Sequence, residues 1–471
     1  MVARRPDTTT ENRMMSLPII SAPPLAECGQ GEATGARADW HEFTSKEIRY
    51  LLAVDASRVY RLDAATPPLI DAEAFLELGI PNVNAVEDPP PEPFPMRSLS
   101  LAVAQKCNLG CTYCYAEGGS FGETPRNMSA EVALMAVDRL LAEATSGDKI
   151  HLAFLGGEPL VNRPVLRQAT EYAAREASKK HVRTGFSVTT NGTLLTPDDG
   201  AFFEHHGFAV TISLDGIGAV HDRQRPFKNG RGTYQGIMEH VTPLLNKQRH
   251  MQVSARVTVT PRNLCLRETL DELIGLGFYS VGFSPMLSSP TGRDQMHGSE
   301  LDVMLDQMKD CGREFERSTI AGRRYPFSNM TNAMQEIHRG THRPYPCGAG
   351  AGYFGVSSDG ELFACHRFVG DESWAMGTVG QGVDHERRQR WLAERHVHFQ
   401  EPCKRCWARY LCGGGCHHEV IHRGRPACDY IRGWLHFCLQ AYVRLLESRP
   451  DYFDPSASPD CFSKTPIKER T

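Results

Sequence analysis

The sequence predicts an α/β fold built on a parallel sheet, preceded by a small α+β module and followed by a cysteine-rich region. From residue 97 onward, six segments that favour strands alternate with five amphipathic segments that favour helices. This alternation is typical of parallel strands covered by helices. The last third instead groups its cysteines at short, regular spacings. A length of 471 residues fits about three domains.

The first 95 residues are expected to combine a poorly ordered start with a small module. Residues 1 to about 40 are rich in Thr, Pro, Gly and Ala without periodicity. Apolar segments at 49–55 and 58–63 favour a β-hairpin, and 69–78 favours a helix ahead of a proline-rich linker. Such a module either captures an extended peptide at a strand edge or caps the main domain, and both roles stay open here.

The barrel region is expected to span residues 96–290. Its predicted strands cover residues 98–104, 149–155, 184–189, 209–214, 252–259 and 279–284. Its predicted helices cover residues 130–144, 164–179, 197–205, 234–248 and 266–276. Ser129 is the predicted N-cap of the first helix. Active sites in barrels of this kind gather at the C-terminal ends of the strands, so the residues that follow each strand are the candidates.

Three cysteines follow the first predicted strand. Cys107, Cys111 and Cys114 have Cys-x3-Cys-x2-Cys spacing, so three thiolates can face a common centre. They can bind one metal ion, or three irons of a 4Fe–4S cluster, which normally has four cysteine ligands. A missing fourth ligand leaves one iron open, which indicates chemistry rather than a structural role. A zinc site or incidental cysteines are the plainer alternative.

This loop resembles the signature of the radical S-adenosylmethionine (SAM) superfamily, whose fold is a partial (β/α)6 barrel. The resemblance implies that the open iron binds the amino and carboxylate groups of SAM. One electron from the cluster then cleaves SAM into methionine and a 5′-deoxyadenosyl radical. Residues after the following strands are implied to contact SAM, and they are Gly156, Gly157, Glu158, Asn191, Ser213, Asp215 and Arg225.

These candidates have different expected roles. Gly156 and Gly157 let the backbone approach a ligand, and Glu158 accepts hydrogen bonds from the SAM ammonium. The role of Asp215 is less defined. Arg225 either pairs with a carboxylate of SAM or substrate, or belongs to an exposed charged loop.

The last third, residues 346–445, carries a second cysteine system. Its Cys-x12-Gly-x4-Cys and Cys-x2-Cys-x5-Cys-x3-Cys elements resemble the SPASM domain, which holds auxiliary clusters in peptide-modifying radical SAM enzymes. The resemblance implies three 4Fe–4S clusters in all. Auxiliary cluster I would use Cys347, Cys365 and Cys416. Auxiliary cluster II would use Cys403, Cys406, Cys412 and Cys428. Cys438 is a ligand of cluster I, an alternative ligand of cluster II, or spare.

The segments at 343–350 and 362–370 resemble thioether-forming peptide maturases. This resemblance implies that a cysteine sulfur of a polypeptide is joined to a side-chain carbon, such as an Asp or Glu methylene. Sulfatase-maturing relatives carry an extra cysteine near the first two of this region, whereas Cys347 alone lies between Cys311 and Cys365. The alternatives are a formylglycine-forming sulfatase maturase, a carbon–carbon crosslinker or epimerase, and a non-enzymatic zinc-binding interaction protein. No catalytic base is identified.

Composition and net charge limit the kinds of partner that the protein is expected to bind. A net charge of −4 gives no bulk electrostatic case for nucleic acid, and no window approaches a membrane span. Because we see no secretory signal, we expect a cytoplasmic protein whose thiols stay reduced. The cysteines at regular spacings are therefore interpreted as metal ligands rather than disulfides. The expected partners are a small cysteine-containing polypeptide substrate and an electron donor such as flavodoxin or ferredoxin.

Residues 291–345 are a predicted connector with a helix at 300–317, and residues 446–471 are a predicted C-terminal tail. The remaining cysteines are expected to be ordinary thiols, at Cys28, Cys265, Cys311 and Cys461.

Overall fold

A computed structural model describes residues 17, 19–20, 39–64, 66–68, 70–80 and 94–454 of the chain. The predicted proline-rich linker, Cys28 and Cys461 lie outside these residues, as does most of the predicted N-terminal and C-terminal segments. Within the described part, no helix combines the length and the apolar character needed to cross a membrane.

The N-terminal module is a four-stranded sheet with one short helix. Its strands are β1 (Ile19–Ile20), β2 (Trp40–Ser45), β3 (Ile48–Ala53) and β4 (Arg58–Leu62), and its helix is α1 (Ala72–Glu77). The predicted hairpin is confirmed as β3 and β4, which pair antiparallel. The sequence interpretation missed β2, which pairs antiparallel with β3 and places Trp40 against Phe75 of α1 at 4.8 Å between ring centroids. The sheet order is β1-β4-β3-β2.

The predicted parallel sheet is confirmed, and its six strands pair in chain order. They are β5 (Ser98–Ala104), β6 (Lys149–Gly156), β7 (Arg183–Thr190), β8 (Ala209–Ser213), β9 (Gln252–Val259) and β10 (Val281–Pro285). The last strand begins two residues later than predicted. Alternate strand residues are buried under the outer helices, as in β9, where the burial alternates along the whole strand.

The covering helices also follow the predicted alternation. They are α2 (Ala130–Ala142), α3 (Arg163–Lys179), α4 (Pro197–His205), α5 (Ala219–Gln224), α6 (Tyr234–Leu245) and α7 (Leu266–Gly275). Ser129 is confirmed as the N-cap of α2, since its side chain accepts a hydrogen bond from the Val132 amide at 3.2 Å. The short helix α5 was not predicted, because six residues of mixed polarity give no periodic signal.

The C-terminal part extends the barrel sheet. After α8 (Gly298–Ile320) and α9 (Ser328–Arg339), strand β11 (Tyr353–Val356) pairs in parallel with β5, on the side opposite β6. Three more strands continue the sheet, namely β12 (Glu361–Phe363), β13 (Ala375–Thr378) and β14 (Gly382–Val383). The cysteine-rich region is therefore built directly onto the first barrel strand.

Helices complete the C-terminal part. They are α10 (His385–Arg395), α11 (Arg409–Cys412), α12 (His417–Arg423) and α13 (Cys428–Ser448). Helix α13 packs against α8, α9 and β2, so it joins the connector helices to the N-terminal module. Its residues Phe437, Leu439, Val443 and Leu445 are buried. The predicted connector helix is confirmed as α8, which is two residues longer at its N-terminus and three longer at its C-terminus.

Candidate iron–sulfur and SAM site

The three-cysteine loop lies at the C-terminal end of β5, where the sequence placed it. The Leu109 amide donates to the Cys107 sulfur at 3.4 Å. Two further amides of the loop donate to carbonyls at and just after the end of α5: Gly110 to Pro226 at 2.8 Å and Thr112 to Gln224 at 3.2 Å. The loop is thus held against the end of β8 and the residues beyond it.

The three thiols of the loop lie close enough to affect one another electrostatically. Burial raises the pKa of Cys111 to about 12, against the opposing charge of Arg225, and Cys114 and Cys107 raise it further. Burial likewise raises the pKa of Cys107, and Glu158 and Cys114 add to that rise. Three thiolates can therefore coexist here only beside positive charge, which bound iron and Arg225 would supply.

The two glycines after β6 are required by the loop itself. A Cβ on Gly156, which has φ +147°, would stand 2.2 Å from the Ala104 carbonyl oxygen. A Cβ on Gly157 would stand 2.4 Å from the Lys106 carbonyl oxygen and 2.7 Å from the Gly119 Cα. The sequence interpretation gave these glycines a role in approaching a ligand. The structure shows that they allow the end of β6 to pack on the backbone of the cysteine loop.

Glu158 is fully buried and already has three donors from its own chain. Its carboxylate accepts from the Leu160 amide at 3.0 Å, the Thr190 hydroxyl at 2.7 Å and the Asn191 amide at 2.7 Å. Burial raises its pKa, and these hydrogen bonds oppose the rise. A carboxylate has about four acceptor positions, so one remains for a ligand such as an ammonium. Because two of its donors, Thr190 and Asn191, lie at the end of β7, Glu158 also connects the end of β6 to the end of β7.

Asn191 reaches the cysteine loop from the end of β7. Its side-chain amide donates to Asn108 Oδ1 at 2.9 Å and lies 3.8 Å from the Cys107 sulfur. Ser213, the last residue of β8, is half-buried and faces the barrel interior. Both residues are thus at the mouth of the barrel.

Asp215 and Arg225 form a buried cluster with Tyr113 of the cysteine loop. The Tyr113 hydroxyl donates to Asp215 and accepts from Arg225 Nη1 at 2.7 Å. Arg225 Nη1 lies 3.7 Å from Asp215, and the Thr258 amide donates to the same carboxylate at 2.9 Å. Burial raises the pKa of Asp215, against the opposing charge of Arg225. Arg225 is therefore part of this cluster rather than of an exposed loop, and the sequence interpretation missed the polar role of Tyr113.

Arg225 also retains a donor. Its Nε is buried and has no hydrogen-bond partner among the described residues. The guanidinium lies close to Cys111, so its positive charge would attract a negatively charged ligand bound there. A carboxylate bound beside the cysteine loop would satisfy this donor.

Three cysteines of the second system come together near the barrel mouth. Burial raises the pKa of Cys365 to about 12, and the neighbouring Cys416 and Cys347 add to that rise. Burial and Cys416 likewise raise the pKa of Cys347. These are the three residues that the sequence assigned to auxiliary cluster I. Arg367 donates to the Cys416 sulfur at 3.7 Å and so provides positive charge next to this group.

The other four assigned cysteines line one cavity. They are Cys403, Cys406, Cys412 and Cys428, and Cys416 of the first group lies at the same cavity. Burial raises the pKa of Cys403 to about 11, with Arg425 opposing and the other three cysteines adding to the rise. Two consecutive amides, of Gly414 and Gly415, point to the Cys412 sulfur. Both glycines have positive φ, at 96° and 79°, a conformation that lets successive amides converge on an anion.

Cys438 lies apart from both groups. It is fully buried on α13, and its sulfur lies 3.9 Å from the Met330 sulfur of α9. Burial alone raises its pKa far above the ordinary value. It lies ten residues, nearly three helical turns, after Cys428. Of the three roles considered, the structure supports the spare one, because the core of α8, α9 and α13 surrounds the thiol.

Arg367 connects the two cysteine systems across the barrel mouth. Its guanidinium lies 5.4 Å from the centroid of the Tyr115 ring, directly after Cys114. It also donates to Glu419 of α12 at 2.8 Å. The sequence interpretation did not assign Arg367 or Glu419, because their relation depends on α12 crossing to the barrel.

The cysteine groups fit iron–sulfur clusters. Each group places several thiols in one buried space, with arginines or backbone amides aimed at the sulfurs, as thiolate ligands require. Among the described residues, no three His, Cys, Asp or Glu side chains converge tightly enough for a single metal ion. Their assignment as ligands remains a prediction.

Comparisons with known proteins agree with this geometry. Residues 101–251 match the radical SAM superfamily. The chain is 26% identical over 359 residues to a serine-type anaerobic sulfatase-maturating enzyme of Klebsiella aerogenes, covering 73% of this chain and 85% of the relative. It is 25% identical over 349 residues to a cysteine-type enzyme of Clostridium novyi, covering 68% of this chain and 88% of the relative. A solved structure described as native anSMEcpe with bound AdoMet superposes with a TM-score of 0.63 at 20% identity, covering 75% of this chain and 100% of that one.

Proposed function

Because this chain is a radical SAM enzyme related to the anaerobic sulfatase-maturating enzymes, we propose that it oxidises a side chain of a polypeptide substrate. The observation that carries the proposal is the pair of cysteine groups facing each other across the barrel mouth, with Arg367 between them. Oxidising a side chain by hydrogen removal leaves an electron to be taken up. A second redox centre next to the first provides for that electron.

The bound cofactors would supply the reactive chemistry. When bound, SAM and a reduced 4Fe–4S cluster on Cys107, Cys111 and Cys114 supply a carbon-centred radical that removes a hydrogen atom from the substrate. The chain holds the loop through Tyr113, Asp215 and the strand-end contacts of Glu158. Its rigid mouth positions the substrate carbon and excludes water and competing hydrogen donors.

Two products are consistent with this site, and a different observation favours each. The sulfatase-maturating relatives favour conversion of a Cys or Ser of the polypeptide to formylglycine. The chain itself favours a thioether between a cysteine sulfur and a side-chain carbon of the same polypeptide. It lacks the extra cysteine near Cys347, and residues 365–370 resemble the quinohemoprotein amine dehydrogenase maturation protein.

Iron and sulfide analysis after anaerobic purification tests the cofactor assignment. Three clusters give about twelve irons per chain, and replacing Cys107, Cys111 and Cys114 with Ala leaves about eight. A Cys438→Ala variant serves as the matched control and should keep about twelve, since that thiol lies in the core. Zinc in place of iron would instead support a non-enzymatic interaction protein.

Mass spectrometry of the substrate then separates the products. The enzyme is incubated with SAM, a flavodoxin or ferredoxin donor and a small cysteine-containing polypeptide. A thioether removes two hydrogens and one free thiol, while formylglycine creates an aldehyde that reacts with hydrazides. An unmodified polypeptide, alongside SAM cleavage by the same sample, would contradict the proposed function for that substrate.

A further inference from the structure

Arg256 occupies an unusual place in the middle of the barrel sheet. On β9 the side chains of Val253, Ala255 and Val257 are buried under the outer helices. Arg256 is on the opposite side of the strand, in register with Ser213 of β8. It is nevertheless exposed to solvent. Because strands flank it on both sides, the solvent that reaches it is that of the barrel interior.

Among the described residues, the guanidinium of Arg256 has no carboxylate partner. It donates to the hydroxyl of Ser284 on β10. Within the residues that the structure describes, it forms no salt bridge. The one carboxylate that affects it is Glu419, which Arg367 already binds at 2.8 Å.

The surroundings of Arg256 supply little negative charge. Nearby protein atoms lower the pKa of Arg256, and the charge of Glu419 only partly opposes that effect. An arginine that is open to the barrel interior and has no carboxylate partner is of the kind that clusters at binding sites. Ser284 uses one of five guanidinium donors, so most of the planar fork is available to a ligand.

The carboxylate of SAM has a different arginine available. Arg225 lies beside Cys111 and Tyr113 of the cysteine loop, where SAM would reach an open iron. Arg256 instead faces Glu419 of α12, on the side of the mouth formed by the cysteine-rich region. The space between the two arginines is where a substrate side chain would meet the reactive centre.

We propose that Arg256 binds the carboxylate of an Asp or Glu side chain in the substrate polypeptide. The inference rests on the proposed function, since it takes the substrate to be a polypeptide. A guanidinium fork binds a carboxylate through two parallel hydrogen bonds and so fixes its orientation. The methylene next to that carboxylate is thereby held inside the barrel mouth.

Binding of two small probes to the SAM-loaded holoenzyme tests this site. Acetyl-Glu-N-methylamide carries the charged side chain, and acetyl-Gln-N-methylamide is its neutral isostere. By anaerobic titration calorimetry, wild type should bind the glutamate probe at least about tenfold more tightly than the glutamine probe. In Arg256→Met the two affinities should agree within about twofold. Arg324→Met is the matched control and should keep the preference, because Arg324 is an exposed arginine outside the barrel.

The other outcomes overturn the inference. Equal affinities in wild type, or no measurable binding of the glutamate probe, would show that the barrel mouth does not select a carboxylate. A preference that survives in Arg256→Met, with a tenfold loss of SAM affinity, would assign Arg256 to SAM. If Arg256→Met fails to fold, the wild-type comparison still tests whether the barrel mouth selects a carboxylate. A preference for the glutamate probe in an enzyme that modifies no polypeptide would refute the proposed function while the carboxylate site stands.

Discussion

At the scale of single residues, the cluster of Tyr113, Asp215 and Arg225 holds the cysteine loop to the strand ends. All three residues are visible in the sequence, but their contact is not. They come from the loop after β5, the end of β8 and the end of α5, and only the folded barrel brings them together. The sequence could therefore nominate Asp215 and Arg225 but not Tyr113, whose role depends on contacts made only in the fold.

Replacing Tyr113 with Phe should destabilise the protein by about 1–3 kcal/mol, because it leaves buried Asp215 and Arg225 without a shared hydrogen-bonding group. The measurement is chemical denaturation under anaerobic conditions. Tyr172→Phe is the control. Its hydroxyl donates to Asp138 at 2.7 Å on the exposed surface, so its loss should change stability by less than about 0.5 kcal/mol. Equal effects of the two changes would contradict the structural role of Tyr113.

Arg367 should set the reduction potential of the auxiliary cluster on Cys347, Cys365 and Cys416. Its charge lies next to the Cys416 sulfur and favours the more negative, reduced state. Arg367→Met should lower that potential, as measured by a redox titration followed by electron paramagnetic resonance. The same change at Arg175, on the outer face of α3, should leave the potential unaltered. An unchanged potential in Arg367→Met would show that the guanidinium does not act on the cluster.

At the scale of elements, the six barrel strands were predictable because their buried faces give a local signal in each segment. Two strands match the predicted bounds at both ends, at 98–104 and 252–259. The pairing of β11 with β5 was not predictable. It joins the first barrel strand to a strand of the cysteine-rich region, and four residues carry no information about a distant partner.

The packing at the end of β6 requires that Gly156 have no side chain. Gly156→Ala should disrupt the packing of β6 on the cysteine loop, because its Cβ would overlap the Ala104 carbonyl. We expect less soluble protein and less iron per chain in what remains. Gly147→Ala is the matched control, since Gly147 also has a positive φ, 88°, but nothing lies within 4 Å of its Cβ position. Normal iron content in Gly156→Ala would contradict this account.

At the scale of the whole molecule, stability should fall with acidity because several buried histidines are neutral in the folded chain. His221 is the clearest case. Burial lowers its pKa to about 3, and the charge of Arg225 adds to the effect. Its ring accepts from the Asp215 amide at 3.2 Å and contacts the Thr233 hydroxyl at 3.1 Å.

The sign of this dependence follows from the lowered pKa. Below pH 6.5 the unfolded chain protonates this histidine while the folded chain does not, so protonation favours unfolding. Each pH unit below 6.5 should cost up to about 1.4 kcal/mol from this group, until its folded pKa is reached. His221→Gln should therefore show a shallower loss of stability than wild type between pH 6.5 and 5, in thermal unfolding scans. Parallel slopes would show that His221 is already charged or titrates normally.

The continuous sheet from β10 to β14 makes the barrel and the cysteine-rich region one folding unit. A chain that ends at residue 345 loses β11 beside β5, and loses α13 from α8 and α9. We expect that fragment to be insoluble, because a long parallel strand edge and apolar helix faces would be exposed. A chain that ends at Asp454 should stay soluble. A soluble, iron-loaded fragment 1–345 would show that the barrel folds alone.

The pairing of β5 with β11 also has a consequence during synthesis on the ribosome. Strand β5 emerges early, but its second neighbour emerges only after every other barrel strand has been made. Until then the nascent barrel has an open side next to the Cys107–Cys114 loop. The edge of the first barrel strand is therefore covered only after the whole barrel has been translated. The topology thus makes the start of the barrel sheet wait for the cysteine-rich region before its second edge is paired.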